Sequence, residues 1–110
     1  MKTALLALAL VALDARAEVV ECPARQEGAR LVGAGIHEGN EKVELMGAPR
    51  KVRGGVDADF GFYRGDVKWL ACVYETGPVR WFRLSPEATK CELKQRDVAP
   101  KKVTATVRCK

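Results

Sequence analysis

The stretch KWLACVYETGPVRWFRL, residues 68 to 84, contains two β-rich runs joined by a turn. It carries both tryptophans of the protein, Trp69 and Trp81, and one of the four cysteines, Cys72. Thr76, Gly77 and Pro78 are turn-forming residues, and the flanking runs are rich in the aromatic and β-branched residues typical of strands. The stretch therefore predicts an antiparallel hairpin at the structural centre of the molecule.

The same kind of short β-rich run recurs along the chain, and no segment has helical periodicity. Glycine, asparagine, aspartate and proline separate the runs, as expected for turns. The sequence therefore predicts an all-β domain, a small antiparallel barrel or sandwich of about eight short strands. The predicted runs are residues 18–22, 30–37, 42–47, 50–53, 58–64, 67–75, 79–84, 91–98 and 103–109.

A register can be assigned to the aromatic segment if Gly65-Asp66 and Thr76-Gly77 each form a two-residue hairpin loop. Phe62 then faces Trp69, and Ala71 faces Phe82. The opposite face carries Cys72, Tyr74 and Trp81, and the partner of Cys72 must cover part of it. One extra residue in either loop would exchange the two faces. The predicted core face consists of Phe60, Phe62, Trp69, Ala71, Val73, Phe82 and Leu84.

Residues 1–17, MKTALLALALVALDARA, have the pattern of a secretory signal peptide. Lys2 is followed by an apolar run of about ten residues, and Ala15-Arg16-Ala17 is a small-x-small cleavage signal. The apolar run is well short of the roughly 20 residues that span a membrane, so no membrane anchor is predicted. We expect a single domain over residues 18–110, located in the periplasm or secreted.

Four cysteines in a short exported chain predict two disulfides. The favoured pairing joins Cys22 to Cys109 and Cys72 to Cys91. The alternative joins Cys91 to Cys109, because a turn at Pro100-Lys101 would place these two residues opposite each other. The cysteine spacings are wide and His37 is the only histidine, so the sequence predicts neither a zinc site nor a cofactor.

Catalytic residue sets are not found. Ser85 is the only serine and precedes Pro86, so a hydrolytic triad with His37 is not expected. Paired cysteines leave no nucleophilic thiol. Asp57 and Asp59 share one face of a predicted strand, and we interpret them as surface charges rather than as an acid and base pair. The sequence predicts a protein that is not an enzyme.

The cysteine framework resembles that of a family of small uncharacterised proteobacterial periplasmic proteins. The resemblance rests on Cys22-Pro23, on Trp69-Leu70 ahead of Cys72-x-Tyr74, on Cys91 and on Cys109. In size, export and disulfide-bonded β architecture, that family is similar to the periplasmic inhibitors of c-type lysozyme. The resemblance implies a rigid module that binds another protein.

The charge is moderately positive and spread along the chain, which does not favour a nucleic-acid partner. The formal net charge is +5 for all 110 residues and becomes +4 without residues 1–17. The first functional hypothesis is an exported protein-binding module, with inhibition of a wall-degrading enzyme such as c-type lysozyme as the candidate role, which uses the acidic residues Glu38, Glu41, Asp57 and Asp59. The alternative is a module that binds an envelope polyanion or glycan through Lys68, Arg80, Trp81 and Arg83.

The environment of Trp81 separates the two hypotheses. If its ring is buried against a disulfide, as the assumed register predicts, the aromatic platform loses its main residue. If its ring lies on an outer face, the polyanion or glycan hypothesis gains support.

Overall fold

The computed structural model describes residues 17–110, so the predicted signal peptide lies outside the described residues except for Ala17. The described chain consists of strands and turns, without a helix, and therefore contains no helix that could span a membrane. The all-β prediction is confirmed. The strands are β1 (Glu18–Glu21), β2 (Arg25–Gln26), β3 (Ala29–Glu38), β4 (Val43–Leu45), β5 (Ala48–Val52), β6 (Gly55–Gly61), β7 (Lys68–Tyr74), β8 (Arg80–Arg83), β9 (Lys90–Ala99) and β10 (Lys102–Cys109).

All nine predicted runs correspond to strands, and only the two-residue strand β2 was not predicted. Sheet 1 has the strand order β1-β10-β9-β6-β5, and every neighbouring pair in it is antiparallel. Sheet 2 has the order β2-β3-β7-β8, with β4 paired to β3, and is also antiparallel. The sheets do not close into a barrel, so the fold is a sandwich.

The core lies between the two sheets and contains no tryptophan. Alternate residues of the central strands point into it, as the pleat requires. Sheet 1 contributes residues such as Phe60, Leu93 and Val107, and sheet 2 contributes residues such as Ile36 and Leu70. Phe60 and Leu84 are buried as predicted, whereas Val73, which was predicted to face the core, is 39% exposed.

The two disulfides hold different parts of this core. Cys22 extends β1, since its amide donates to the carbonyl oxygen of Ala105 in sheet 1 at 2.9 Å. It is bonded to Cys72 in β7, so this disulfide joins the two sheets. The second disulfide joins Cys91 to Cys109, which are directly opposite each other on β9 and β10.

The favoured pairing of Cys22 with Cys109 and Cys72 with Cys91 was therefore wrong, and the alternative pair Cys91 with Cys109 is the one found. The physical reason is the hairpin of β9 and β10, whose register aligns these two cysteines. With them paired, Cys72 on the inner face of sheet 2 meets Cys22, which the first strand brings across from sheet 1. Two disulfides suggest an oxidising, extracellular-type compartment.

The assumed register of the aromatic segment was also wrong at both turns. Strands β6 and β7 do not pair, because β6 belongs to sheet 1 and β7 to sheet 2, so Phe62 does not face Trp69 across a hairpin. In the hairpin of β7 and β8, Ala71 is opposite Trp81 rather than Phe82. The loop thus has an odd number of residues, with Gly77 at φ 87°. This one-residue difference exchanges the faces of β7 relative to β8. Phe82 still packs against the core as predicted, whereas Trp69 lies on the opposite face from the one predicted.

Candidate functional site

The outer face of sheet 1 is covered by ion pairs among its own residues. Arg50 on β5 contacts Asp59 on β6 and Glu92 on β9, the latter at 2.6 Å. Arg96 on β9 donates to Asp57 Oδ1 at 2.7 Å. This hydrogen bond holds the pKa of the Asp57 carboxyl below its ordinary value of 3.8. The two aspartates predicted as binding residues are therefore already engaged within the protein.

The other predicted acidic residues do not extend this pair into one acidic surface. Glu38 lies at the end of β3 in sheet 2 and is half-buried. Glu41 is exposed in the turn between β3 and β4. Asp57 and Asp59 lie on β6 of sheet 1, so the four predicted acidic residues belong to different sheets.

Lys68, predicted as a cationic binding residue, is fully buried, with no exposed surface. Its Nζ atom donates to the carbonyl oxygens of Asp66 at 3.0 Å and Ser85 at 2.8 Å. The ammonium group also lies 5.3 Å from the centre of the Phe62 ring. Burial lowers the pKa of the Lys68 amine below its ordinary value of 10.5. Lys68 is therefore a structural residue that ties the chain after β8 to the start of β7.

The outer face of sheet 2 has a different composition. The alternation of β7 sends Leu70 and Cys72 into the core and Trp69 and Ala71 to the outer face, where Ala71 is nevertheless covered by its neighbours and is only 1% exposed. The register places His37 of β3 on one side of Trp69 and Arg83 of β8 on the other. In the next row Ala71 lies between Gly35 and Trp81. Trp81 thus lies on this outer face and not against the disulfide as predicted.

Aromatic rings and cations meet on this face. The Trp81 ring stands edge-on to the His37 ring at 4.8 Å and to the Trp69 ring at 6.4 Å between centroids. Lys42 Nζ lies 4.5 Å from the Trp69 ring centre and 5.4 Å from that of Trp81. The Arg83 guanidinium lies 5.0 Å from the Trp69 ring. We call His37, Lys42, Trp69, Trp81 and Arg83 the aromatic–cation cluster.

The turn that carries Lys42 is fixed in place by hydrogen bonds. Trp69 Nε1 donates to the carbonyl oxygen of Gly39 at 2.9 Å, and the Gly39 amide donates to Val67 at 2.8 Å. His37 Nδ1 lies 2.9 Å from the carbonyl oxygen of Lys42. The side chains of Trp69 and His37 therefore both hold this turn. The turn fixes the position of the Lys42 amine in the absence of a ligand.

Two cations of the cluster have no carboxylate partner in the described part of the chain. Within residues 17–110, neither Lys42 nor Arg83 forms an ion pair. Glu44, at the edge of this face, is paired in register with His37. A cation held over an aromatic ring keeps its charge available to an anion, since the ring quadrupole does not neutralise it.

The sequence analysis predicted Trp81 and Arg83 as binding residues but not the other three members of the cluster. His37, Lys42 and Trp69 were not predicted as binding residues. A usable signal exists for His37, because Ile36 marks the inner face of β3 and its neighbour must then point outward. For Trp69 no such signal exists, since both faces of β7 carry apolar residues and only the loop length decides between them.

The arrangement is suited to binding a negatively charged group, and it holds two half-buried indole rings beside that group. The described residues include no set of three histidine, cysteine or carboxylate side chains able to hold a metal ion. The resemblance to the four-cysteine periplasmic family stays a prediction, which rests on the cysteines and a few neighbours. Comparisons with known proteins found no family model, no curated protein and no solved structure that matches this chain.

Proposed function

We propose that this protein is a binding module of the periplasm or the extracellular space, and that it binds an anionic polysaccharide of the cell envelope on the outer face of sheet 2. It acts by binding and not by catalysis. The observation that supports this proposal most is the position of Lys42 and Arg83 over the Trp69 ring, without an ion-pair partner in residues 17–110.

The two side-chain types have separate roles in the proposed complex. The Lys42 and Arg83 cations bind carboxylate or sulfate groups of the polysaccharide. The Trp81 ring, edge-on to its aromatic neighbours, offers apolar surface to a sugar ring. The rigid turn from Gly39 to Lys42 lowers the conformational entropy lost on binding.

The protein-binding hypothesis, with a lysozyme-like enzyme as partner, receives less support. It relied on the acidic residues, and both Asp57 and Asp59 are occupied by arginine side chains. A cationic enzyme would also meet the unpaired cations of sheet 2, which disfavours association.

Binding can be measured through the intrinsic fluorescence of the protein, because Trp69 and Trp81 are its only tryptophans and both belong to the cluster. The oxidised protein is titrated with polygalacturonate and, as a matched control, with the fully methyl-esterified polymer, which has the same chain without the charge. We expect a change in tryptophan emission with the charged polymer only. The affinity should fall as the salt concentration rises, because salt screens exposed charges.

Single substitutions assign the binding to the cluster. Lys42→Gln and Arg83→Gln should each weaken binding by about three- to tenfold. Arg53→Gln is the matched control, because it removes the same charge from an exposed residue of the turn between β5 and β6. Equal weakening by all three substitutions, equal binding of the esterified polymer, or stoichiometric inhibition of a c-type lysozyme would overturn the proposal.

A further inference from the structure

The outer edge of β8 is open in the described structure. β8 is the last strand of sheet 2 and pairs only with β7. β5, an edge strand of sheet 1, differs in carrying Pro49, which has no amide hydrogen to offer a partner strand. β8, Arg80–Arg83, contains no proline.

The hydrogen-bond pattern shows which backbone groups of β8 face outward. The Leu84 amide donates to the Lys68 carbonyl oxygen at 2.9 Å, so these two residues form a hydrogen-bonded pair. In an antiparallel ladder such pairs alternate with non-bonded ones. Phe82 and Arg80, two and four residues earlier, therefore bond to β7. The amide and carbonyl groups of Trp81 and Arg83 point away from it.

These outward groups have no partner among residues 17–110. No backbone or side-chain hydrogen bond outside the β7 ladder reaches the main chain of Trp81 or Arg83. The two amides and two carbonyl groups of Trp81 and Arg83 thus lie along the outer edge of β8, spaced as the backbone groups of a neighbouring strand would require.

Charge on β8 is arranged for an acidic partner. Arg80 and Arg83 are three residues apart, so their side chains leave opposite faces of the sheet. Arg80 lies over the Phe82 ring at 4.9 Å, and Arg83 lies over the Trp69 ring at 5.0 Å. Neither arginine is paired with a carboxylate in the described part of the chain.

We infer that the β8 edge accepts an extended acidic peptide segment of a partner protein as an additional strand of sheet 2. The segment bonds through its main chain to Trp81 and Arg83. It carries two carboxylates three residues apart, one on each face, which meet Arg80 and Arg83. This inference does not depend on polysaccharide binding. The two proposals share Arg83, but the backbone contacts and Arg80 belong to the peptide site alone.

The test uses the peptide acetyl-Thr-Glu-Val-Thr-Glu-Val-Thr-amide and the oxidised protein. Binding is followed by amide hydrogen exchange. Before the peptide is added, the Phe82 amide should be protected, whereas the amides of Trp81 and Arg83 should exchange rapidly. With the peptide present, the Trp81 and Arg83 amides should gain protection. The Phe82 amide serves as an internal measure that the hairpin stays folded.

Two matched peptides separate strand addition from charge attraction. The same peptide with alternate amides N-methylated keeps both carboxylates but cannot complete the ladder, and we expect it to bind about tenfold or more weakly. A peptide with the two glutamates two residues apart puts both carboxylates on one face and should also bind more weakly.

Protein variants complete the test. Arg80→Gln should weaken peptide binding, whereas Arg53→Gln and Lys42→Gln should not. Equal binding of the N-methylated peptide, unchanged exchange of the Trp81 and Arg83 amides, or no binding at a peptide concentration of about 1 mM would overturn the inference. A loss of polysaccharide binding in Lys42→Gln without any loss of peptide binding separates the two proposals.

Discussion

The side chain of Gln95 in β9 accepts a hydrogen bond from the amide of Ala34 in β3 at 2.6 Å, and this bond spans the two sheets. The Gly39 amide bonds to the Val67 carbonyl oxygen, and bonded and non-bonded pairs alternate along the β3–β7 ladder, so the Ala34 amide points to the other edge of β3. On that edge β2 pairs with Ala29 and Arg30, and β4 pairs with Ile36–Glu38, so neither strand supplies an acceptor for Ala34. The Gln95 side chain supplies a partner from the opposite sheet.

Gln95→Leu should lower the free energy of unfolding by about 1–3 kcal/mol, because the half-buried Ala34 amide loses its acceptor. Urea unfolding of the oxidised protein measures this change. The matched control is Gln26→Leu, whose side chain makes an exposed hydrogen bond to Pro78 and should matter less. An equal effect of both substitutions would contradict the assigned role of Gln95.

The disulfide connectivity predicts which peptides stay linked after digestion and which disulfide contributes more to the free energy of unfolding. Digestion of the protein under non-reducing conditions should release one peptide pair joined by Cys22 and Cys72, and another joined by Cys91 and Cys109. Removal of the first by Cys22→Ala and Cys72→Ala should cost about 4 kcal/mol, against about 3 kcal/mol for the second. The first costs more because the linked residues are 50 apart in sequence rather than 18. A peptide joined by Cys22 and Cys109 would refute the connectivity.

Gly55 allows β6 and β9 to approach closely. A Cβ atom at this position would overlap the carbonyl oxygen of Gln95 and lie 3.1 Å from the Arg96 Cα atom. Gly55→Ala should therefore lower the free energy of unfolding by about 1–3 kcal/mol, measured in urea. Gly61→Ala in the same strand is the control, because a Cβ atom there meets nothing within 4 Å. Similar costs at both positions would show that strand contact is not the cause.

Asp57 makes stability depend on pH in the acid range. Its folded-state pKa is depressed below 3.8, first of all by the hydrogen bond from Arg96. A carboxyl with a depressed folded-state pKa stabilises the fold at pH values above its unfolded pKa, and this stabilisation is lost as the pH falls through the folded-state pKa. The unfolding free energy of the wild type should therefore fall more steeply than that of Asp57→Asn as the pH drops from about 4 toward 2.

The exposed Asp97 provides the control for this experiment. Asp97→Asn should keep the acid slope of the wild type, since no ion pair involves Asp97 within the described residues. If Asp57→Asn and the wild type lose stability in parallel, the ion pair with Arg96 does not contribute.

The strands themselves could be predicted from the sequence because alternation and turn residues are local properties. The last strand shows this: Val103, Ala105, Val107 and Cys109 alternate with polar residues, and three of the four are buried in the core. β2 has only two residues and leaves no such pattern. Its backbone pairs with the start of β3 across a tight turn, with Arg25 opposite Arg30 in the register.

Strand partners could not be predicted in the same way. The assumption that neighbouring strands pair is right for β7 with β8 and wrong for β6 with β7, although a glycine-containing turn follows both β6 and β7. Whether the chain returns to its own sheet or crosses to the other depends on the whole core. The cysteine pairing depends on the same crossing and was missed with it.

The prediction of the candidate site depended on the number of residues in the loop between β7 and β8. The hairpin loop after β7 differs from the assumed two-residue loop by one position, and this moves Trp69 and Trp81 from their predicted surroundings to the outer face. Lys42 was missed because its place over the rings arises from the turn after β3, which has Lys42 itself at φ 55°.

The pairing of β1 with β10 has a consequence for the time at which the molecule can fold. A ribosome makes Glu18–Glu21 early and Lys102–Cys109 some eighty residues later, yet the two strands are neighbours in sheet 1. Until β10 has been made, β1 has no strand to pair with, and Cys91 has no disulfide partner. Sheet 2 can assemble first, since its strands come from the middle of the chain. We therefore expect a slow final step, typical of contacts between distant parts of a sequence.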